Sequence, residues 1–301
     1  MILRGTERSD FIMYKDAREE RRVNFEETSR LCRTDKWLSD SIAFYKDKQQ
    51  VIAEEEEVPA PKAKYDVPAK VVVSKKRSLE AAKGYLDQKV CVLNFASATN
   101  AGGGVTKGSN AQEEAICRCS TLYAFISDSR ITSQFHDKHR SALKAGQMTA
   151  LYNDDCIYTP NVTVFKSDTD NPKVLPKDLW FEVDVLSCAA PNLRSRPSNA
   201  MNPGSGDKAV SIRPSELLEL HKKRMRRVLD VASQNGAEVM ILGAFGCGAF
   251  QNSPDIVAQA MREVVKDYLY HFRGIEFAVY CTPRETRNYD AFKRILAPLC
   301  K

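Results

Sequence analysis

Regular hydrophobic patterning begins near residue 70, where short apolar runs alternate with segments of helical periodicity. Continuous apolar runs predict buried strands, and helical spacing with capping residues predicts helices. The predicted strands cover residues 70–74, 90–95, 157–165, 181–187, 237–242 and 275–280, and the predicted helices cover 79–86, 112–125, 214–234, a segment after 253–255, and 288–296. Strands that alternate with helices are typical of an α/β sandwich.

The first 66 residues have a more polar pattern. Phe25, Leu31, Trp37 and Phe44 recur at roughly helical intervals, which predicts one or two amphipathic helices that pack on a larger body. Residues 54–69 combine an acidic run with three prolines, which is typical of a linker or of a segment draped over the surface. We therefore predict an N-terminal helical extension and linker over residues 1–66 and one α/β domain over residues 67–301.

Composition and charge narrow the class of protein only slightly. Lys and Arg number 45 against 39 Asp and Glu, and this mild net charge of +6 allows a polyanionic partner without requiring one. The N-terminus lacks the apolar segment of a signal peptide, and no stretch is apolar enough to span a membrane. We expect a cytoplasmic protein with no membrane partner, or a nuclear location if the source is eukaryotic.

Nine cysteines and four histidines are spaced without a metal-binding pattern. We therefore expect no metal site, and we expect the cysteines to be free thiols in a reducing compartment. The four histidines are expected at the surface rather than in a catalytic role.

Two glycine-rich segments, residues 94–105 and 243–252, share one design. Each follows a predicted strand and leads into a predicted helix, so backbone N–H groups and the helix dipole would meet at one place. Neither has the Gly-Lys-Ser/Thr of a P-loop or a full G-x-G-x-x-G. A tight structural turn explains either loop alone about as well. Together they predict a cleft for a nucleotide diphosphate.

The more specific feature is Gln112-Glu113-Glu114, which opens a predicted helix and is separated from the triple glycine 102–104 by seven residues. Acidic residues favour a helix N-terminus because they complement the dipole. That preference does not explain why the pair follows a phosphate-type loop directly. A glutamate in this position is suited to general acid/base catalysis on a glycosidic bond.

The pattern Gly102-Gly103-Gly104, a short gap, then Gln112-Glu113-Glu114 resembles the signature of poly(ADP-ribose) glycohydrolases, a family of the macrodomain superfamily. Five further segments resemble the compact microbial branch of that family, and with them the resemblance covers roughly residues 70–300: 93–100, 119–123, 157–165, 188–192 and 243–252. The resemblance implies a macrodomain-like three-layer α/β/α sandwich with a mixed central sheet. It also implies hydrolysis of ribose–ribose O-glycosidic bonds in poly(ADP-ribose), from chain ends, with release of ADP-ribose.

The resemblance also assigns roles to residues. Glu114 would be the general acid and base, and Glu113 would hold the outgoing ribose by hydrogen bonds. Phe250 would pack against the distal ribose, and adenine would lie near residues 283–288. The residues implied to bind ADP-ribose are Asn100, Gly102, Gly103, Gly104, Val105, Gln112, Gly246, Cys247, Gly248, Ala249 and Phe250. No cofactor is implied, and a monomer is expected.

Three alternatives remain open from the sequence. A non-catalytic ADP-ribose reader has no need of the second carboxylate of the pair. A hydrolase of mono-ADP-ribose on protein or nucleic acid would use the same cleft. An NAD oxidoreductase would require a dinucleotide fingerprint with an acidic residue about twenty positions further on, and the loops do not supply it.

Overall fold

The computed structural model describes residues 5–300, with side chains from residue 17 onward. Its centre is a mixed sheet of seven strands in the order β1-β4-β5-β3-β6-β7-β2. The strands are β1 (Gln50–Ile52), β2 (Lys70–Ser74), β3 (Val90–Phe95), β4 (Cys156–Val164), β5 (Phe181–Cys188), β6 (Val239–Leu242) and β7 (Gly274–Ala278).

The strands fall into a parallel part and an antiparallel part. Strands β5, β3, β6, β7 and β2 run parallel to one another, and at one edge β4 runs antiparallel to both of its neighbours, β5 and β1. Central strand β3 is buried along almost its whole length, which agrees with its continuous apolar sequence. Because parallel strands end at the same edge, the loops that follow five of the seven strands meet there.

Helices cover both faces of the sheet. Helices α8, α9 and α10 pack on one face, and α3, α4 and α5 pack on the other, so the predicted three-layer α/β/α architecture is confirmed. The helices are α1 (Gly5–Thr34), α2 (Lys36–Lys46), α3 (Ser78–Ala82), α4 (Gln112–Cys119), α5 (Leu122–Ile126), α6 (Ser129–Ile131), α7 (Lys138–Lys144), α8 (Pro214–Gln234), α9 (Pro254–Val265) and α10 (Arg287–Leu296).

The predicted helix over 112–125 is wrong in one respect, because it is two helices. Ser120 and Thr121 lie between α4 and α5, and Ser120 forms an isolated bridge with Val164 of β4. The Thr121 N–H donates to the Thr163 carbonyl, and the Thr163 N–H donates to the Thr121 hydroxyl at 3.0 Å. The chain therefore leaves the helix to pair with a strand, which is a tertiary effect.

The N-terminal segment forms the two predicted helices and also the edge strand β1, which was not predicted. Phe25 is buried against the main body, and Trp37, although 47% exposed, packs its ring edge to face against Trp180 with centroids 5.7 Å apart. Phe44 is 63% exposed, so its predicted packing role is wrong. Helix α1 lies on α4, where the Thr28 hydroxyl donates to the Arg118 carbonyl at 2.6 Å. The boundary between residues 66 and 67 stays a prediction.

A buried ion pair fastens α8 to two loops. The Arg224 side chain is 1% exposed, and its Nε donates to Asp154 Oδ1 at 2.8 Å while Nη1 donates to the Ala189 carbonyl at 2.7 Å. Asp154 precedes β4 and Ala189 follows β5, so one guanidinium joins three elements. A buried charge that loses its partner is strongly destabilising.

We expect Arg224→Met to lower the free energy of unfolding by about 3–5 kcal/mol, because it leaves the Asp154 carboxylate buried with less compensation. Arg226→Met on the same helix is the control, because its guanidinium is 44% exposed and lies 3.8 Å from Asp267. That change is expected to cost less than about 1 kcal/mol. Urea denaturation compares the two, and equal losses would contradict the assignment.

Candidate active site

A cleft of about 790 Å³ lies at the carboxyl ends of the five parallel strands. This is the edge at which α/β sheets usually bind ligands. The loops after all five of these strands contribute to its wall, together with the first turn of α4. Residues from each loop are, in chain order, Arg77 after β2, Ser97 and Gly103 after β3, Asn202 after β5, Gly246 after β6, and Tyr280 after β7.

Glu113 lies at the floor of the cleft and is 3% exposed. Its Oε2 accepts the Ser97 N–H at 2.8 Å, and its Oε1 accepts the Asn94 side-chain amide at 3.3 Å. Burial and the neighbouring Glu114 carboxylate raise the pKa of Glu113 to about 8, in spite of these donors. At neutral pH this side chain therefore holds a proton.

Glu114 is 6% exposed, and both of its oxygens accept backbone N–H groups. Oε1 accepts from Gly104 at 2.9 Å, and Oε2 accepts from Ala111 at 3.0 Å. Ala111 is the N-cap of α4, so the second contact is the side-chain half of a capping box. One carboxylate thus ties the triple-glycine loop to the start of the helix.

Gly103 is where the loop approaches both carboxylates. Its φ of +57° is in the left-handed region. A Cβ there would lie 2.6 Å from Glu114 Oε1 and 3.2 Å from Glu113 Oε2. Only glycine fits both the backbone conformation and the space.

The second glycine-rich loop is closed by Asn252. Its side-chain amide donates to the carbonyls of Pro191 at 2.7 Å and Gly246 at 3.1 Å. Gly246 has φ +76°, and a Cβ there would lie 2.6 Å from Ala190 Cβ. The loop is therefore packed tightly against the segment that follows β5.

Buried histidines support the site from behind, so the expectation of surface histidines is wrong for three of the four. His136, His139 and His221 are each no more than 2% exposed. His221 Nε2 lies 2.9 Å from Asn252 Oδ1, and burial lowers the pKa of His221 to about 4. This neutral ring fixes the orientation of the Asn252 amide.

The predicted ligand-binding residues divide into two groups. Those that line the cleft are Gly103, Gly104, Gln112, Glu113, Glu114, Gly246, Gly248, Ala249 and Phe250. Those that do not line it are Asn100, Gly102, Val105 and Cys247. The Asn100 amide donates to Asn202 Oδ1 at 2.7 Å and to the Pro203 carbonyl at 2.8 Å, so it braces two loops. Val105 is fully buried in the core.

For two of the predicted ligand-binding residues, Gln112 and Cys247, the contacts and chemistry favour a structural role. The Gln112 side chain accepts the Phe95 N–H at 2.8 Å and donates to the Leu93 carbonyl at 2.8 Å, which ties α4 to the end of β3. Burial raises the pKa of the Cys247 thiol, which opposes any nucleophilic role. Among the residues that the structure describes, no cluster of His, Cys, Asp and Glu is arranged to hold a metal ion.

Sequence reasoning missed one end of the cleft, and at the other end it predicted only the region 283–288, which contributes Asn288 to the wall. Asn199, Met201 and Asn202 come from the long segment 191–213, whose length was the available signal. Asn202 Oδ1 accepts the Ser97 hydroxyl at 2.7 Å, so this segment covers the loop that carries the glycines. At the far end lie Arg77 and Tyr280, whose neighbouring positions depend on the fold alone.

The Arg77 guanidinium lies 4.0 Å from the centre of the Tyr280 ring and also pairs with Asp170. Beyond this pair lies a second cavity of about 450 Å³, and four residues line both spaces: Arg77, Asp168, Asp170 and Tyr280. Asp168 Oδ1 is buried and has no hydrogen-bond partner among the described residues, while Oδ2 accepts the Leu79 N–H at 3.0 Å.

The cleft, with its two glycine loops and paired carboxyl groups on a seven-stranded mixed sheet, defines a macrodomain-like α/β hydrolase. The chain belongs to the family of microbial-type poly(ADP-ribose) glycohydrolase (PARG) catalytic domains, whose model matches residues 17–167. This confirms the resemblance drawn from the sequence. No curated protein sequence matches the chain significantly.

Similarity to solved PARG structures extends over more of the chain than the family model does. PARG from Thermomonospora curvata is 27% identical, with a TM-score of 0.77 over 92% of this chain and 99% of that one. The same enzyme bound to the inhibitor ADP-HPD gives a TM-score of 0.74 at 27% identity, with the same coverage of both chains. PARG from Deinococcus radiodurans in complex with ADP-ribose is 28% identical, with a TM-score of 0.70 over 86% of this chain and 98% of that one.

Gly103→Ala tests the close approach of the loop to the two carboxylates. Gly146 is a matched control, because its φ of +70° is similar but a Cβ there would meet nothing within 4 Å. Both changes are expected to cost about 1–2 kcal/mol of stability from left-handed strain. Only Gly103→Ala is expected to lower kcat, by about 10²-fold, because it displaces Glu114. Equal kcat values for the two variants would contradict the role of Gly103.

The raised pKa of Glu113 makes stability depend on pH. The folded protein keeps a proton that the unfolded chain releases near pH 4.5, so the folded state binds more protons between pH 4.5 and about 8. The free energy of unfolding therefore falls as pH rises through this window, by up to about 1.4 kcal/mol per pH unit. Glu113→Gln is expected to remove this slope in urea denaturation curves. Parallel pH profiles for the two proteins would show that Glu113 is ionised when folded.

Proposed function

We propose that the protein hydrolyses the ribose–ribose O-glycosidic bonds of poly(ADP-ribose) and releases ADP-ribose, with Glu114 as general acid and base. The observation that carries this proposal is the Glu114 carboxyl, held at the cleft wall by the Gly104 and Ala111 N–H groups beside the buried Glu113 carboxyl. A general acid must be fixed within reach of the leaving oxygen.

The Glu114 and Glu113 carboxyl groups have different roles in the reaction. Glu114 gives a proton to the leaving oxygen while positive charge develops on the ribose, and then takes a proton from the attacking water. Glu113 holds the nearest proton in the ligand-free protein, and it binds hydroxyl groups of the outgoing ribose.

The diphosphate, the distal ribose and the adenine of ADP-ribose are each assigned to a different part of the cleft. The diphosphate lies between Gly103–Gly104 and the loop 246–249, where glycines let the backbone approach an anion closely. Phe250 packs against the distal ribose. Adenine lies at the Arg77–Tyr280 end, where the unpartnered Asp168 Oδ1 accepts its amino group. The related structures that contain ADP-ribose and ADP-HPD support a ligand of this class.

We further propose how the rest of the protein is organised. Residues 67–301 carry the catalytic groups, and residues 1–66 are an extension that packs on them. Six of the nine cysteines are buried, and all nine are free, which supports a reducing, cytoplasmic location. None of the described helices is both long and apolar enough to cross a membrane. The protein acts as a monomer from chain ends.

Glu114→Gln tests the catalytic assignment. The variant keeps the shape of the side chain, so we expect ADP-ribose to bind in a calorimeter with little change in Kd. Release of ADP-ribose from the polymer is expected to fall by about 10²–10⁴-fold, because the proton donor is lost.

The control for Glu114→Gln is Glu216→Gln. Glu216 also lies at the third position of a helix and accepts the N-cap Arg213 N–H at 3.1 Å, but it is exposed and does not line the cleft. It is expected to leave activity unchanged. Full activity of Glu114→Gln would refute the assignment. Binding of ADP-ribose by a wild type that releases nothing from polymer would favour a reader, or a hydrolase of mono-ADP-ribose.

A further inference from the structure

Three cations surround the end of the triple-glycine loop, and two of them come from helix α1. Arg18 Nη2 donates to the Lys107 carbonyl at 3.2 Å, and Arg21 Nε donates to the Gly108 carbonyl at 2.8 Å. Lys107 Nζ donates to the Ala200 carbonyl at 2.6 Å. Lys107 is exposed and the two arginines are half-buried, so all three reach solvent.

None of these three cations has a carboxylate within 4 Å among the side chains that the structure describes. Arg22 on the same helix shows the contrast, because it pairs with both Glu19 and Glu26. Arg18 and Arg21 instead each donate a hydrogen bond to a neutral backbone carbonyl. Their charge is left available to an external anion.

The cations adjoin the catalytic end of the cleft. Arg18 Nη2 lies 3.6 Å from Met201 Sδ, and Met201 lines the cleft. A Cβ on Gly104 would lie 3.3 Å from Met201 Cβ, and the Gly104 N–H binds Glu114. Arg18 is thus separated from the Glu114 anchor by one side chain. The cations lie on the side of Gly103–Gly104 that carries Met201, whereas the loop 246–249, the other half of the proposed diphosphate site, belongs to another wall of the cleft.

We propose that Arg18, Arg21 and Lys107 form an anion subsite for the leaving part of the substrate. The leaving part is the ADP-ribose unit whose ribose oxygen accepts the proton from Glu114, and the subsite binds the diphosphate of that unit. This inference rests on the proposed function. In the polymer, the ribose that leaves also carries a diphosphate on its 5′ oxygen. An anion therefore always lies a few bonds beyond the bond that breaks.

Through this subsite, helix α1 would contribute to substrate specificity. A substrate whose leaving group is a neutral aryl alcohol has no anion to place there, whereas every internal bond of the polymer has one. Arginine is well suited to phosphate because its N–H groups match two oxygens at once. The expected outcome is a preference for polymer over substrates with uncharged leaving groups.

The experiment compares kcat/KM on poly(ADP-ribose) and on an ADP-ribose that carries an aryl ether at its 1″ carbon. For Arg18→Gln/Arg21→Gln we expect about a tenfold loss on the polymer at low salt, with a weaker salt dependence, because fewer counterions are released. On the aryl substrate we expect a change within about twofold. Lys107→Gln is a second variant, and a smaller loss on the polymer alone is expected from it.

Arg22→Gln is the control, because it removes one arginine charge from the same helix, half of what the double variant removes, but from a paired position. It is expected to leave both rates unchanged. Equal losses of the double variant on both substrates would overturn the proposal, because the arginines would then only position the loop 107–108. An unchanged rate on the polymer would also overturn it. A wild type inactive on both substrates would instead refute the proposed function.

Discussion

Two carboxyl groups have to stay side by side in a buried corner, and this electrostatic constraint shapes the structure around them. Burial of like charges is costly unless one is neutralised and the other is hydrogen-bonded. Here Glu113 keeps a proton, and Glu114 takes two backbone N–H donors. Those donors belong to a loop and to a helix cap, so their backbones are held in one arrangement. Gly103 has to be glycine because any side chain would enter the space of both carboxyl groups.

The rest of the fold supplies the rigidity that this corner needs. Gln112 ties the start of α4 to the last residues of β3, which is the most central strand. Asn252 closes the opposite loop and is itself oriented by the neutral His221. These contacts use side-chain amides and backbone groups, whose hydrogen bonds have fixed directions. The site is therefore held by neutral polar side chains, two of them on helices α4 and α8 and one, Asn252, in the loop before α9.

Much of this could be predicted from the sequence, because it depends on short-range patterns. The strands β2 and β3 and the helix α8 have the predicted bounds, and the glycine loops and glutamate pair lie together as expected. The break at Ser120–Thr121 could not be predicted, since it is made by pairing with β4. A three-residue edge strand such as β1 is too short to leave a pattern. The buried histidines and the cleft residues Arg77, Tyr280 and Asn202 become neighbours only through the sheet order.

The exposed ion pair between Arg77 and Asp170 has a consequence for inhibitor chemistry. It stands between the main cleft and the adjoining cavity of about 450 Å³, and Asp170 is 74% exposed, so solvent already weakens the pair. A compound that carries a cationic arm past Tyr280 could replace the arginine as the partner of Asp170 and fill both spaces. Such a compound would gain affinity from contacts beyond the adenine end of the cleft, in a space that the catalytic glutamates do not line.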